Sequence, residues 1–158
     1  MPNVSLKKVV LLSAQDAFVI AADVSSYKDF LPLVTRSTVR GQVLEQGDIK
    51  RFAADLMIAV EKLGMCESFT SQVEVNAAVR TVVATSQDGP MKNLKAVWHI
   101  IAIDGARSTV SIDIDYEFRS KLLQLAAGGL MNKAIGRVMD AFEARGRQLY
   151  PLSALPNI

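Results

Sequence analysis

The stretch Val110-Ser111-Ile112-Asp113-Ile114-Asp115-Tyr116-Glu117-Phe118 alternates apolar and polar side chains and leads directly into a long apolar segment that reaches Tyr150. A period of two predicts a strand with one wet face and one apolar face. The apolar residues after Ser120 recur at helical spacing, which predicts a helix of roughly 45 Å at about 1.5 Å per residue. Such a helix is too long to cap a small flat sheet. We therefore expect the sheet to curve around the helix and to enclose an apolar cavity.

The rest of the chain supplies the other elements of this fold. A first strand is predicted from about Asn3 to Leu12, followed by a short helix that Ser13 caps. A second short helical turn is predicted from Tyr27 to Pro32. Strand patterns separated by turns fill residues 34–118 and predict an antiparallel meander, in which Asp104-Gly105 is typical of a type I′ hairpin turn. The fold class is α+β, with a curved antiparallel sheet of about six or seven strands around a long C-terminal helix and two short helices after the first strand.

Length and composition favour one domain. The 158 residues are 50% hydrophobic, and we assign residues 1–150 to a single domain and residues 151–158 to a C-terminal tail. The net charge of +2 is too weak to favour nucleic acid. A single cysteine, Cys66, excludes an internal disulfide and fits a reducing compartment, so we expect a cytoplasmic protein or one peripheral to the inner membrane. No segment approaches the roughly 18 consecutive apolar residues of a membrane span.

The chain offers little catalytic or metal-binding chemistry. The only histidine, His99, lies between apolar neighbours on a predicted strand, where we interpret it as an outward-facing sheet residue. Asp113, Asp115 and Glu117 alternate along one face, as a solvated surface does. Glu67 is likewise interpreted as a wet-face residue unless the cavity places it inside. We assign no catalytic residue and no metal ligand.

Two segments predict the mouth of the cavity. The turn Asp88-Gly89-Pro90-Met91 and the segment from Tyr27 to Pro32 each place large apolar side chains at an end of the sheet. Phe30, Leu31 and Met91 either plug the fold or gate a ligand site, and the sequence leaves both interpretations open. A ligand in such a site would gain affinity mostly from buried area, at about 25 cal/mol per Å².

A set of short segments in a fixed order, spread from about Val4 to Tyr150, carries a family resemblance. These segments are Asp23-Val24 with Tyr27, Phe30-Leu31-Pro32, Phe69-Thr70-Ser71-Gln72-Val73, Asp88-Gly89-Pro90, Leu94 with Trp98, and Ala141-Phe142-Glu143-Ala144-Arg145 with Leu149-Tyr150. Together they resemble the coenzyme Q-binding family of START-like proteins in the SRPBCC superfamily, also labelled polyketide cyclase/dehydrase or oligoketide cyclase/lipid transport proteins. The resemblance implies a helix-grip fold. It further implies binding of ubiquinone or a related polyprenyl quinone in support of respiratory electron transfer, without turnover.

The chain departs from the family pattern at two places. The family usually continues its Phe-Leu-Pro segment with Trp-Cys, where this chain has Leu33-Val34. The glycine-proline turn usually continues with Phe, where this chain has Met91. The loss of two rings weakens stacking on a quinone head, whereas methionine adapts to a flexible isoprenoid.

The predicted function is therefore non-enzymatic binding and delivery of a ubiquinone-like quinone, with no cofactor other than this ligand. Its partners are the hydrophobic small molecule and, transiently, the inner-membrane surface. Two alternatives stay open: an aromatase or cyclase, for which only Tyr116 and Ser71 offer inward polar groups, and a toxin-like protein that contacts the ribosome, as some relatives do. The residues predicted to bind the ligand are Phe30, Leu31, Phe52, Leu56, Met91, Trp98, Phe118, Leu122, Leu125 and Phe142.

Overall fold

The computed structural model describes residues 2–151, and within them the chain forms a seven-stranded sheet and two α-helices. The strands are β1 (Asn3–Val10), β2 (Val34–Gln46), β3 (Ile49–Val60), β4 (Met65–Asn76), β5 (Thr81–Ser86), β6 (Met91–Ala102) and β7 (Ser108–Phe118). The α-helices are α1 (Ala14–Ala22) and α2 (Lys121–Leu149), and short 3₁₀ helices span Val24–Asp29 and Glu61–Leu63. The predicted α+β class is confirmed. Of the predicted tail, residues 151–158, only Pro151 lies within the described residues.

The sheet is antiparallel throughout and has the order β1-β7-β6-β5-β4-β3-β2. Strands β2 to β7 follow one another as the predicted meander, while β1 pairs with β7. The first strand ends at Val10 rather than Leu12. The second helical turn is a 3₁₀ helix that begins at Val24, three residues before the predicted start.

A serine side chain caps the N-terminus of each α-helix. The Ser13 side chain accepts a hydrogen bond from the Asp16 amide at 3.1 Å, and the Ser120 side chain accepts one from the Leu123 amide at 3.2 Å. Each hydroxyl satisfies one of the amides that a helix start leaves without an intrahelical partner. The long helix therefore has the bounds that the sequence predicts.

The connection between β6 and β7 differs from the prediction. A type I′ turn needs a positive φ at both central residues, and neither Asp104 nor Gly105 has one. Instead residues 103–107 form a longer loop, in which the Asp104 carboxylate accepts a hydrogen bond from the Ala106 amide at 2.9 Å. This bond and the ion pair with Arg107 lower the pKa of the Asp104 carboxyl. The type I′ assignment was wrong because the carboxylate organises the loop.

Helix α2 packs on β1, β7 and α1. Lys8 on β1 forms an ion pair with Glu143 of α2, and this hydrogen-bonded contact raises the pKa of Lys8. Gly146 of α2 lies against the Leu12 side chain. These contacts fix the helix at one end, and its N-terminal half lies across the concave face of the sheet, where it contributes to a cavity wall. Within residues 2–151, no helix is both long and apolar enough to cross a bilayer.

Candidate functional site

A cavity of about 250 Å³ lies between the concave face of the sheet and α2. Its wall is almost wholly apolar and is formed by β2 to β7, the first 3₁₀ helix with the loop after it, and α2. Ligand pockets commonly measure about 300–1,000 Å³. The cavity is therefore at the small end of the range for a ligand site.

Small side chains at the centre of the sheet create this space. Ser71 on β4 is paired with Ala54 on β3, and Ala84 on β5 is paired with Ala96 on β6. Ser71, Ala84 and Ala96 all lie in the cavity wall. Because protein interiors are otherwise close-packed, a run of short side chains on a concave surface leaves room that α2 does not fill.

Five of the residues predicted to bind a ligand line the cavity: Leu31, Leu56, Met91, Trp98 and Phe118. They come from five places in the chain, and the fold brings them around one space. Both segments predicted to form the mouth of the cavity contribute to its wall, but Leu31 and Met91 are buried there, whereas the exposed wall residue is Glu67. Ligand binding by these side chains stays a prediction.

Three other predicted residues pack outside the wall. Phe142 is wholly buried, and its ring stacks on Trp98 with 5.2 Å between the centroids. Phe52 packs against the core from β3. Phe30 meets the Tyr27 ring edge to face, and the Arg145 guanidinium lies 5.5 Å from its ring centroid. These aromatic side chains support the wall without forming it.

Leu122 and Leu125 do not line the cavity as expected, since their exposed fractions are 79% and 81%. The face of α2 that turns inward carries Ala127, Met131 and Ile135 instead. The prediction took Leu122 and Leu125 as part of one apolar stripe that faces inward, whereas the direction of each side chain is set by its angle around the helix axis.

The turn before β6 is held firmly against the cavity. The Thr70 amide donates to the Asp88 carboxylate at 2.9 Å, and Arg119 Nε donates to the Gly89 carbonyl at 3.0 Å. Gly89 has a φ of +58°, and a Cβ there would lie 2.6 Å from a backbone oxygen of β4. Only glycine fits this conformation and this approach. As a result, Pro90 and Met91 are fixed in the cavity wall.

Leu33, at the departure from the family pattern, has a strained backbone. Its φ is +74°, a left-handed conformation that costs a non-glycine residue roughly 1–2 kcal/mol. The Leu33 carbonyl accepts a hydrogen bond from the Ala59 amide at 2.9 Å, which holds the segment in place. The Leu33 side chain lies in the cavity wall. Nothing in the sequence signals this, because leucine is not a residue typical of a left-handed turn.

Few polar groups reach the cavity. Tyr116 and Ser71 both line it, as predicted, and Glu67 lies at the exposed end of the wall. The Tyr27 hydroxyl also belongs to the wall but donates to the Ala21 carbonyl. Burial, followed by the nearby Asp23 charge, raises the pKa of Tyr27. The Ser71 hydroxyl is fully buried and has no hydrogen-bond partner within residues 2–151.

The residues with the strongest nucleophilic or basic side chains lie away from the cavity. His99 lies on β6 opposite Thr81 and Ser111, outside the wall, and Cys66 is exposed. In the described part of the chain, no three histidine, cysteine or carboxylate side chains come together as metal ligands. A hydroxyl nucleophile needs an adjacent base for activation, and the wall supplies no histidine for that role.

Residues 10–143 match the family model described as polyketide cyclase / dehydrase and lipid transport. The ribosome association toxin RatA of Vibrio cholerae is 31% identical over 150 residues, which cover 95% of this chain and 99% of that protein. The mitochondrial coenzyme Q-binding protein coq10 of Schizosaccharomyces pombe is 31% identical over 120 residues, covering 75% of this chain and 68% of that protein.

Solved structures share the fold along nearly the whole chain. A START superfamily protein from Mycobacterium smegmatis superimposes with a TM-score of 0.77 at 19% identity, covering 93% of this chain and 98% of that one. The Zhui aromatase/cyclase from Streptomyces sp. R1128 does so with a TM-score of 0.73 at 15% identity, covering 97% and 98%. At these identities the likeness concerns the fold alone, and it confirms the predicted START-like helix-grip architecture.

Proposed function

We propose that this chain, which belongs to the polyketide cyclase / dehydrase and lipid transport family, binds a polyprenyl quinone of the ubiquinone type, or a similar lipid, and delivers it without chemical turnover. The observation that carries the proposal is the cavity, whose wall is almost wholly apolar. Each 100 Å² of apolar ligand surface that it buries contributes about 2.5 kcal/mol. The name of the coq10 relative, a coenzyme Q-binding protein, favours a quinone among apolar ligands.

The size of the cavity determines how such a ligand would lie. About 250 Å³ accommodates a ring and the start of an isoprenoid tail, but not a long tail. Glu67 is the exposed residue of the wall. Half-buried residues of the wall include Leu63, Met65 and Leu130. We expect the ring to lie inside the cavity and the tail to leave beside Glu67.

The polar groups of the wall support binding without turnover. They are three hydroxyls, the Trp98 indole N–H and the exposed Glu67 carboxylate, and the Tyr27 hydroxyl is already bound to a carbonyl. Ring closure or dehydration needs a positioned general acid or base with a suitable pKa. This wall favours a carrier over a cyclase.

The exposed surface of α2 supports delivery at a membrane. Leu122, Leu125 and Ala126 lie on one exposed face, and no acidic residue occurs from Lys121 to Met139. Basic residues in that span include the exposed Lys133. An amphipathic helix with leucines on its outer face and basic neighbours suits the anionic surface of a bilayer. We place the protein in the cytoplasm, in transient contact with the inner membrane.

Mass spectrometry of lipid extracted from the protein, purified from its own host, tests the carrier function. Binding is then measured by quenching of Trp98, the only tryptophan, on titration with ubiquinone. Ala84→Phe fills the cavity and should weaken quinone binding at least about tenfold, because it removes the space for the ring. Ala53→Phe, outside the wall on β3, is the matched control and should bind normally. Absence of copurified lipid together with unquenched Trp98 would contradict the proposal.

Ribosome association is a second candidate, since the RatA relative matches along 95% of this chain. Cosedimentation with purified large ribosomal subunits over a salt series tests it. Binding that survives a moderate rise in salt would support a specific contact, whereas loss after a slight rise indicates nonspecific attraction. Ala84→Phe separates the two functions, because it alters the interior and leaves the surface unchanged.

A further inference from the structure

We propose that the Ser71 hydroxyl donates a hydrogen bond to an oxygen atom of the bound ligand and so sets which end of the ligand lies inside. This inference rests on the proposed carrier function and deepens it. It specifies the ligand class as an apolar molecule with a hydrogen-bonding oxygen at its inner end, such as the carbonyl of a quinone ring.

The Ser71 hydroxyl is buried and makes no hydrogen bond within residues 2–151. Ser71 has 0% exposure, its side chain lies in the cavity wall, and its Oγ has no partner within residues 2–151. Leaving a buried hydroxyl unpaired costs about 1–3 kcal/mol. Two other buried serines avoid this cost: Ser86 donates to the Thr70 carbonyl at 2.7 Å and Ser37 to the Ser25 carbonyl at 2.8 Å. Ser71 instead has a donor without a partner among the described residues, in a residue of the cavity wall.

Ser71 lies far from the exposed residue of the wall. It is four residues from Glu67 along β4, which corresponds to about 13 Å at 3.3 Å per residue. Glu67 is exposed at the open end, while Phe69 and Ser71 are buried. A ligand whose oxygen reaches Ser71 therefore has its polar end inside and its tail toward Glu67.

The cavity wall holds a second hydroxyl, on β7, three strands from β4. Tyr116 is 4% exposed and lies in the wall. A ligand with a second oxygen atom has Tyr116 as its candidate partner.

Water is a poorer partner for Ser71 than a ligand oxygen. A buried water needs two to four polar partners, and the wall residues next to Ser71 on its face of β4, Phe69 and Val73, are apolar, as is its cross-strand neighbour Ala54. A carbonyl oxygen attached to an apolar ring needs only the single donor. The site thus favours a ligand that brings its own apolar surface.

Ser108 provides a matched control. It is also 0% exposed, and its Oγ has no partner in the described part of the chain, but it lies outside the cavity wall. The probes are a ubiquinone with a ten-carbon alkyl tail and decylbenzene, which has the tail and a ring but no oxygen. Quenching of Trp98 measures quinone binding, and ligand-induced thermal shift measures both probes. Ser71→Ala should weaken quinone binding about tenfold and change decylbenzene binding less than about twofold. Ser108→Ala should change neither.

The unliganded variants establish that folding is intact. Each replaces an unpaired buried hydroxyl with hydrogen, so both should melt at or above the temperature of the parent. If the parent binds quinone and Ser71→Ala binds it equally well, this inference is overturned while the carrier function stands. Equal weakening of both probes would also overturn it, because the side chain would then act through shape. If the parent binds neither probe, both the inference and the carrier function fail.

Discussion

Trp98 and Phe142 form a ring stack, with 5.2 Å between the centroids and 28° between the ring planes. Trp98 lies in the cavity wall, whereas Phe142 has 0% exposure and lies behind it on α2. The long helix therefore supports the wall through a side chain that no ligand would touch. This relationship separates the residues that stabilise the fold from those that would meet a ligand.

Phe142→Ala should lower the free energy of unfolding by about 3–5 kcal/mol, because it leaves a void behind Trp98 and removes the ring stack. Urea unfolding followed by circular dichroism measures the change. Leu122→Ala on the exposed face of the same helix is the control and should stay within about 0.5 kcal/mol of the parent. Equal midpoints for the two variants would show that the stack contributes nothing to stability.

Alanine substitutions at two glycines of α2 should change the stability of the protein in opposite directions. A Cβ at Gly146 would clash with the buried Leu12 side chain, so Gly146→Ala should destabilise by about 1–3 kcal/mol. A Cβ at Gly128 meets open space, so Gly128→Ala should stabilise by about 0.5–1 kcal/mol through helix propensity. Thermal unfolding of both variants tests the contrast. A stabilised Gly146→Ala would mean that Leu12 moves aside freely.

The sequence was sufficient for the sheet because alternation is a direct consequence of strand geometry. Ile112, Ile114 and Tyr116 lie at every second position, and all three line the cavity. The helix start at Ser120 was equally predictable, since serine is a preferred N-cap. The loop at Asp104 was not, because its carboxylate bonds depend on where the loop backbone lies.

The inward face of α2 was predicted wrongly in its N-terminal half, and helix geometry explains why. At about 100° per residue, Leu122 lies about 200° around the helix from Phe142, on the opposite side. Ala127 and Met131 lie about 60° and 20° from Phe142 by the same rule, and both are in the wall. Taking the phase of the helix from Phe142 would have identified them, whereas taking the whole apolar stripe as the inward face did not.

The free energy of unfolding should fall above about pH 10 because of the Tyr27 side chain. Its pKa is raised above 10.0 in the folded state by burial, so the unfolded chain loses this proton first and unfolding becomes more favourable as pH rises. Below pH 10 the stabilisation is fully present. Tyr27→Phe should be less stable at pH 7 by about 0.5–1.5 kcal/mol, since the bond to the Ala21 carbonyl is lost. It should also show a shallower decline in alkali. Lys8 and Tyr150, whose pKa values are also raised, remain in both proteins and cancel in the comparison. Parallel curves for Tyr27→Phe and the parent from pH 9 to 11 would contradict the assignment.

Exposed leucines of α2 should govern membrane binding. Burying a leucine in a bilayer contributes about 1.5–3 kcal/mol, so replacing both Leu122 and Leu125 with serine should weaken cosedimentation with anionic vesicles by more than about tenfold. Leu149→Ser is the control, because that leucine is also exposed but lies at the opposite end of the helix.

Lys133→Glu should weaken binding to the vesicles mainly at low salt, since exposed charges are screened within about 10 Å at 0.1 M. Because these changes lie outside the cavity wall, quinone binding measured by Trp98 quenching should be unaffected. Vesicle binding that persists in the double variant would assign membrane contact to another face.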